Sequence, residues 1–125
     1  MKHRLLVVDD DAGVRESMKN YLQGRGYDVD CAARVGEAKD LLAGSRYDAV
    51  VTDLQLTASE GAEGLAVVVE ARRRWRGTRV ILMTGHPSDT IARAARRLGV
   101  DVLVQKPKRM PELEAVIRAL VGEAA

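Results

Sequence analysis

Short aliphatic runs alternate with longer helical periods along this chain, and that alternation leaves few ways to fold. His3–Val8, Ala49–Thr52, Arg79–Thr84 and Asp101–Gln105 read as strands, three of them with unbroken runs of Val, Ile, Leu or Met. Such runs suit parallel strands covered on both faces. Tyr27–Ala32 (YDVDCA) alternates instead. Tyr27, Val29 and Cys31 fall on one side and Asp28 and Asp30 on the other, as suits an edge strand. Val14, Met18, Tyr21 and Leu22 make a helical stripe, as do Leu113, Val116, Ile117, Leu120 and Val121. Ala38, Leu41 and Leu42 mark a shorter helix stopped near Gly44, and Ile91, Ala94, Ala95 and Leu98 mark one ended by Gly99. Residues Leu65 to Arg74 supply another. The order is strand–helix five times, with no linker or repeat. It predicts one α/β domain over residues 1–125, built as a doubly wound sheet.

Composition excludes several function classes. No apolar run approaches the ~20 residues of a membrane span, and no signal-peptide pattern precedes the first strand. Cys31 is the only cysteine, so no internal disulfide forms and a reducing cytosol is the expected compartment. Its packing role is that of a small buried hydrophobe. Phe is absent and aromatics are scarce, which argues against stacking platforms for single-stranded nucleic acid. A net charge of +2 is too small to imply a polyanionic partner by itself.

The strand ends carry the chemistry. The first strand runs into Asp9, Asp10 and Asp11 (LLVVDDD), the third into Asp53, the fourth ends at Thr84 and the fifth leads to Lys106. In open parallel sheets, ligands sit in the crevice beyond the carboxyl ends of the strands. Two carboxylates ~4–5 Å apart repel by several kcal/mol at an effective dielectric near 20. Three acids with only Lys106 to offset them are costly unless a cation joins them. All-oxygen ligands with room for water favour Mg²⁺ or Mn²⁺ over zinc. A metal there attracts a phosphoryl group, which Lys106 can pair with and Thr84 can hydrogen-bond.

These residues resemble the receiver domain of two-component response regulators. The likeness is carried by VVDDD, YDAVVTDLQL, VILMTG and LVQKP, supported by GEAKDLL and RRLGVDVL, and runs from about Arg4 to Val121. It implies a flavodoxin-like (βα)5 sheet of strand order 2-1-3-4-5 and a regulatory phosphoacceptor rather than a turnover enzyme. It implies that Asp53 accepts a phosphoryl group from a histidine kinase or phosphotransfer protein. Asp10 would bind Mg²⁺ directly and Asp9 through water, with Asp53 and the backbone carbonyl of Gln55 completing the ligands. Lys106 would neutralise the phosphoryl group, Thr84 would swing toward it, and Gly85 would leave it accessible. Pro107 would follow a cis peptide. An output domain, partner or second copy would dock on the face of the last two helices and last strand. The sequence reaches just past the fifth helix, as fits either a stand-alone regulator or a piece of a longer protein. Asp11 lies outside the set and reads as an N-cap.

Two features depart from the family pattern. Leu103 stands where the family usually places Tyr or Phe, so the usual aromatic read-out is missing. The segment after Asp53 (LQLTASEGAEGL) has Thr57 in place of a proline and about three extra residues before Gly64-Leu65. With Gly61 and Gly64 nearby it is expected to be mobile, and it reads either as a segment that affects partner access or phosphoryl lifetime or as a harmless surface insertion. Gln55 and His86 sit where receivers tune autodephosphorylation, and neither is a strong general base.

Three other readings compete. The arginines of ARRRWRG and Arg93, Arg96 and Arg97 invite nucleic-acid binding, yet Arg72, Arg73, Arg74 and Arg76 also suit a solvated helix C-terminus. An aspartate-based Mg²⁺ phosphatase needs a second aspartate two residues after the nucleophile, where this chain has Gln55. A receiver-like interaction module without a phosphorylation switch has Leu103 as its only support.

Overall fold

The aliphatic runs form the strands they predict. The computed structural model describes residues 2–56, 62–106 and 108–122. Its elements are β1 (Arg4–Val8), α1 (Ala12–Gly24), β2 (Asp28–Ala32), α2 (Val35–Gly44), β3 (Ala49–Asp53), α3 (Glu63–Arg74), β4 (Arg79–Thr84), α4 (Asp89–Leu98), β5 (Val102–Gln105) and α5 (Met110–Val121). All strands pair in parallel, in the order β2-β1-β3-β4-β5. The alternating segment is an edge strand, β2, as its pattern predicts.

Each face of the sheet has its own core. Leu6, Val8, Val50, Val80 and Leu82 pack with Ala38 and Leu42 of α2, Val67, Val68 and Ala71 of α3, and Ala95 of α4. Leu5, Val7, Val51, Ile81 and Met83 pack with Met18 and Leu22 of α1 and Leu113 and Ile117 of α5. Covering on both sides is why β1, β3 and β4 need consecutive rather than alternating apolar residues. Full burial of each Leu or Ile contributes about 1.5–3 kcal/mol. The chain leaves β1 for β2 in one direction and reaches β3 in the other. The winding therefore reverses between β1 and β3, and a crevice opens beyond their carboxyl ends.

Local signals fix the helix ends. Asp11 caps α1 by accepting from the Val14 N–H at 3.1 Å. Ser88 caps α4 through the Ile91 N–H at 3.1 Å, and Gly99 ends α4 in the left-handed region, φ 92°.

Boundaries shift in three informative places. β3 runs on to Asp53, which stays in register with Met83, so the acid is the last residue of the strand rather than the first beyond it. β5 starts at Val102 because the Asp101 carboxylate turns back to accept from the Val80 N–H at 2.8 Å. α3 begins at Glu63, one residue before Gly64.

The arginines in the last turn of α3 are not the uniformly solvated cluster that their sequence predicts. Arg72 donates from Nε to the Gly99 carbonyl at 2.9 Å, and its other nitrogens reach the carbonyls of Arg76 and Thr78 and the Asp101 carboxylate. Arg73 and Arg74 pair with Glu70 at 2.9 and 2.5 Å, and pull its carboxyl below the ordinary range, Arg74 most.

Candidate functional site

Four strands deliver one polar group each to the crevice. Asp9 follows β1 and is fully buried, Asp53 ends β3 at 8% exposure, and Thr84 ends β4 at 4%. Lys106 follows β5 and is partly buried. Asp10 stays exposed beside Asp9. Ligand atoms of Asp9, Asp10 and Asp53 all lie within 4.8 Å of one another. An all-carboxylate group of this kind suits a hard, oxygen-seeking divalent cation.

Lys106 Nζ stands between two of the acids, 3.2 Å from Asp9 Oδ2 and 3.1 Å from Asp53 Oδ2. One ammonium therefore serves two buried carboxylates, with a third alongside. Burial pushes the Asp53 carboxyl up, helped by the Asp9 charge and opposed by Lys106 and the Gln55 N–H. Burial pulls the Lys106 ammonium down, but hydrogen bonds and charges of Asp53 and Asp9 outweigh it, and its pKa ends up raised. Lys106 is itself fixed by its N–H, which donates to the Thr84 carbonyl at 2.8 Å.

Backbone contacts hold the acids in place. Asp9 Oδ1 accepts from the Asp11 N–H at 2.9 Å, and its carbonyl accepts from Arg15 at 2.8 Å. The Thr84 hydroxyl oxygen accepts from the His86 N–H at 3.2 Å. Beyond Asp53 a cleft of about 350 Å³ is lined by Gln55, Ala62, Thr84, His86, Ile91 and Lys106, among others. Gln55 and His86 are exposed there, so both sit where a water could approach. Leu103 is partly buried against the core beneath α4. Pro107, Thr57 and Gly61 lie outside the described residues.

Two supporting residues, Arg15 and Thr52, escaped the sequence reading, and a third, Gly64, was read only as a family match. Arg15 looks like any helical surface cation until its contact with Asp9 is seen. Thr52, the one hydroxyl in the run AVVTD, is fully buried and donates to the Asp53 carbonyl at 3.0 Å. Its polarity inside an aliphatic strand was the available signal. Gly64 packs against the same carbonyl. A Cβ there would lie 2.0 Å from the Asp53 oxygen and 2.8 Å from Leu54 Cα.

Comparison with known proteins agrees with this geometry. A family model described as the response regulator receiver domain matches residues 5–118. Response regulator MprA of Mycobacterium tuberculosis is 36% identical over 125 residues, covering 97% of this chain and 51% of that protein. MprA of Mycolicibacterium vanbaalenii is 37% identical over 121 residues, with the same coverage. The chain spans about half the length of the curated relatives it matches. Among solved structures, a CheY-like receiver domain protein from Methanospirillum hungatei superposes with a TM-score of 0.90 at 26% identity, over 97% of this chain and 94% of that one. A response regulator from Burkholderia pseudomallei, solved with a phosphorylated aspartic acid, a calcium ion and citrate, gives 0.84 at 26% identity, over 95% of this chain and 66% of that one. The sheet order and the acidic crevice define a phosphorylation-type signalling module, and the chain belongs to the response regulator receiver domain family. It is a regulatory domain of two-component signal transduction. Among the described residues no helix is long and apolar enough to cross a membrane.

Proposed function

We propose that Asp53 accepts a phosphoryl group from a histidine kinase or phosphotransfer protein, with Mg²⁺ bound beside it. A carboxylate oxygen of Asp53 bonds to phosphorus as the phosphorus–nitrogen bond to the donor imidazole breaks. The imidazole leaves with the electron pair. Asp10, Asp53 and the Gln55 carbonyl would hold Mg²⁺ directly and Asp9 through water. Bound there, Mg²⁺ neutralises charge on the transferring group. Lys106 exchanges its Asp53 contact for a phosphoryl oxygen, and the Thr84 hydroxyl gives up the His86 N–H to donate to another.

The phosphoaspartate carries roughly one more negative charge than the carboxylate. That charge shifts a pre-existing inactive–active equilibrium read on the α4–β5–α5 face by an output domain, a partner or a second copy. Water entering past Gln55 and His86 bonds to phosphorus as the Asp53 oxygen–phosphorus bond breaks, which releases inorganic phosphate and restores the carboxylate. Residues 1–125 act as one receiver unit in the cytoplasm, where free Cys31 fits a reducing environment.

The observation that carries this reading is Lys106 Nζ held between Asp9 and Asp53, with a carboxylate oxygen of Asp10 within 4.8 Å of theirs. Labelling with a small phospho-donor tests it. Wild type is expected to gain one acid-stable, alkali-labile phosphoryl group that needs Mg²⁺, and Asp53→Asn none. Equal labelling of the two proteins would remove Asp53 from the role. Leu103, an aliphatic side chain packed beneath α4, favours a second reading in which partners bind without a switch. Beryllofluoride shifts confined to the crevice, and not reaching β5 and α5, would select it.

A further inference from the structure

Arg15 is a cation where a helix disfavours one. It lies near the start of α1, whose first turn carries no acid, and its side chain leans back over the helix N-terminus, where the macrodipole is positive. Asp10 and Asp11 are near it in the chain, yet among the described residues it forms no ion pair. Its one side-chain hydrogen bond there runs from Nη1 to the backbone carbonyl of Asp9, at 2.8 Å.

That carbonyl has no other donor among the described residues. Asp9 is fully buried, so water does not take the donor's place, and a buried carbonyl left unpaired is costly. The other polar groups of Asp9 are held independently. Its N–H donates to the Ala32 carbonyl at 3.1 Å, Oδ1 accepts from the Asp11 N–H at 2.9 Å, and Oδ2 faces Lys106 Nζ at 3.2 Å. What Arg15 adds is the orientation of the peptide that joins Asp9 to Asp10. Asp10 is exposed and has no side-chain hydrogen bond or ion pair among the described residues. Its reach to Asp9 and Asp53, within 4.8 Å, depends on that peptide.

We infer that Arg15 is a positioning residue for the metal site: through the Asp9 carbonyl it aims the Asp10 carboxylate at the cation. The inference rests on the reading that Asp9 and Asp10 serve Mg²⁺. Without Arg15 the carbonyl turns to find another donor, and the peptide carries Asp10 with it. Groups that orient metal ligands in this way are worth roughly 10–100-fold in metal affinity. Charge alone predicts the opposite sign. A cation beside the acids repels a divalent ion, so its removal would tighten binding.

NMR of the full chain tests it in two arms, neither of which needs a phospho-donor. In chelator, Arg15→Gln is expected to move the Asp9 carbonyl carbon and the Asp10 and Asp11 amides, and to leave the amides of β4 in place. In a Mg²⁺ titration followed at the Asp10 and Gln55 amides, Arg15→Gln should weaken binding roughly tenfold. Arg15→Lys, which keeps the charge and one end of the donor fork, should recover part of that loss. Lys19→Gln removes the same charge one turn further along α1, in the same cleft, and should bind as tightly as wild type or more tightly. Unchanged or tighter binding by Arg15→Gln would reduce Arg15 to a local charge and overturn the proposal. So would Asp9 and Asp10 resonances that stay in place in chelator, or an equal loss of affinity in Lys19→Gln. A wild type that binds no Mg²⁺ would overturn the metal reading and this proposal with it, whereas failure of the proposal alone leaves Mg²⁺ binding by wild type intact.

Discussion

Gly64, at the start of α3, lies against the backbone of Asp53, at the end of β3. Its N–H donates to the Leu54 carbonyl at 2.7 Å, and a methyl group would overlap the Asp53 carbonyl oxygen. The position requires glycine for space rather than for backbone angle. Gly64→Ala must push α3 away from the acidic crevice. It is expected to cost about 3 kcal/mol, at the upper end for overpacking, and to slow Asp53 labelling at least tenfold. Gly36→Ala, in α2 with open space around it, should be neutral or stabilising by up to about 1 kcal/mol. Chemical denaturation of both variants checks the contrast.

Asp53 burdens the metal-free fold. Burial and Asp9 raise its carboxyl against the pull of Lys106. An acid raised on folding stabilises most when protonated, below its unfolded value near 4. That contribution is lost as pH rises through the raised folded value. At neutral pH without metal, Asp53→Asn should therefore gain roughly 1 kcal/mol, or about 3–5 °C. Saturating Mg²⁺ should stabilise wild type and not the variant. Melting curves in chelator and in Mg²⁺ read both signs.

Arg72 ties three elements together. It joins the end of α3 to the Gly99 cap of α4 and to Asp101 before β5. A lysine cannot reproduce this fork of donors. Arg72→Lys is expected to lose about 2–3 kcal/mol, and amide exchange at Gly99 to Asp101 should quicken while β1 is unaffected.

Tyr27 anchors α5 to the edge of the sheet. Its hydroxyl donates to Glu114 Oε2 at 2.8 Å, and Glu114 also holds Arg118. Burial, then Glu114, pushes the phenol up to about 12. A group raised on folding contributes fully below its unfolded value, near 10. The contribution disappears as pH rises through 12. Tyr27→Phe should cost about 1–2 kcal/mol at neutral pH. It should also remove the step near pH 12 that this residue contributes to the tyrosinate absorbance titration.

The strand ends were legible because strand direction and side-chain chemistry coincide. A parallel sheet can bring residues 9, 53, 84 and 106 only to one edge. Asp11 and Gly99 were legible as caps, since their partners lie within one turn. Arg72 and Glu114 were not. Arg72 meets Asp101 only when α3 approaches β5, and the Tyr27–Glu114 hydrogen bond joins residues 87 apart. Gly64 was visible only as a family match, because nothing local says that a backbone oxygen will occupy the space of its Cβ.

The central claim is that Asp9, Asp10, Asp53, Thr84 and Lys106 share one divalent cation and one phosphoryl group. A crystal structure grown with Mg²⁺ and beryllofluoride tests it most directly. The account predicts beryllium bonded to a carboxylate oxygen of Asp53, Mg²⁺ on Asp10 and Asp53, and fluorides contacted by Lys106 and Thr84. An adduct on another residue, or a crevice that binds neither ion while the protein stays folded, would contradict it.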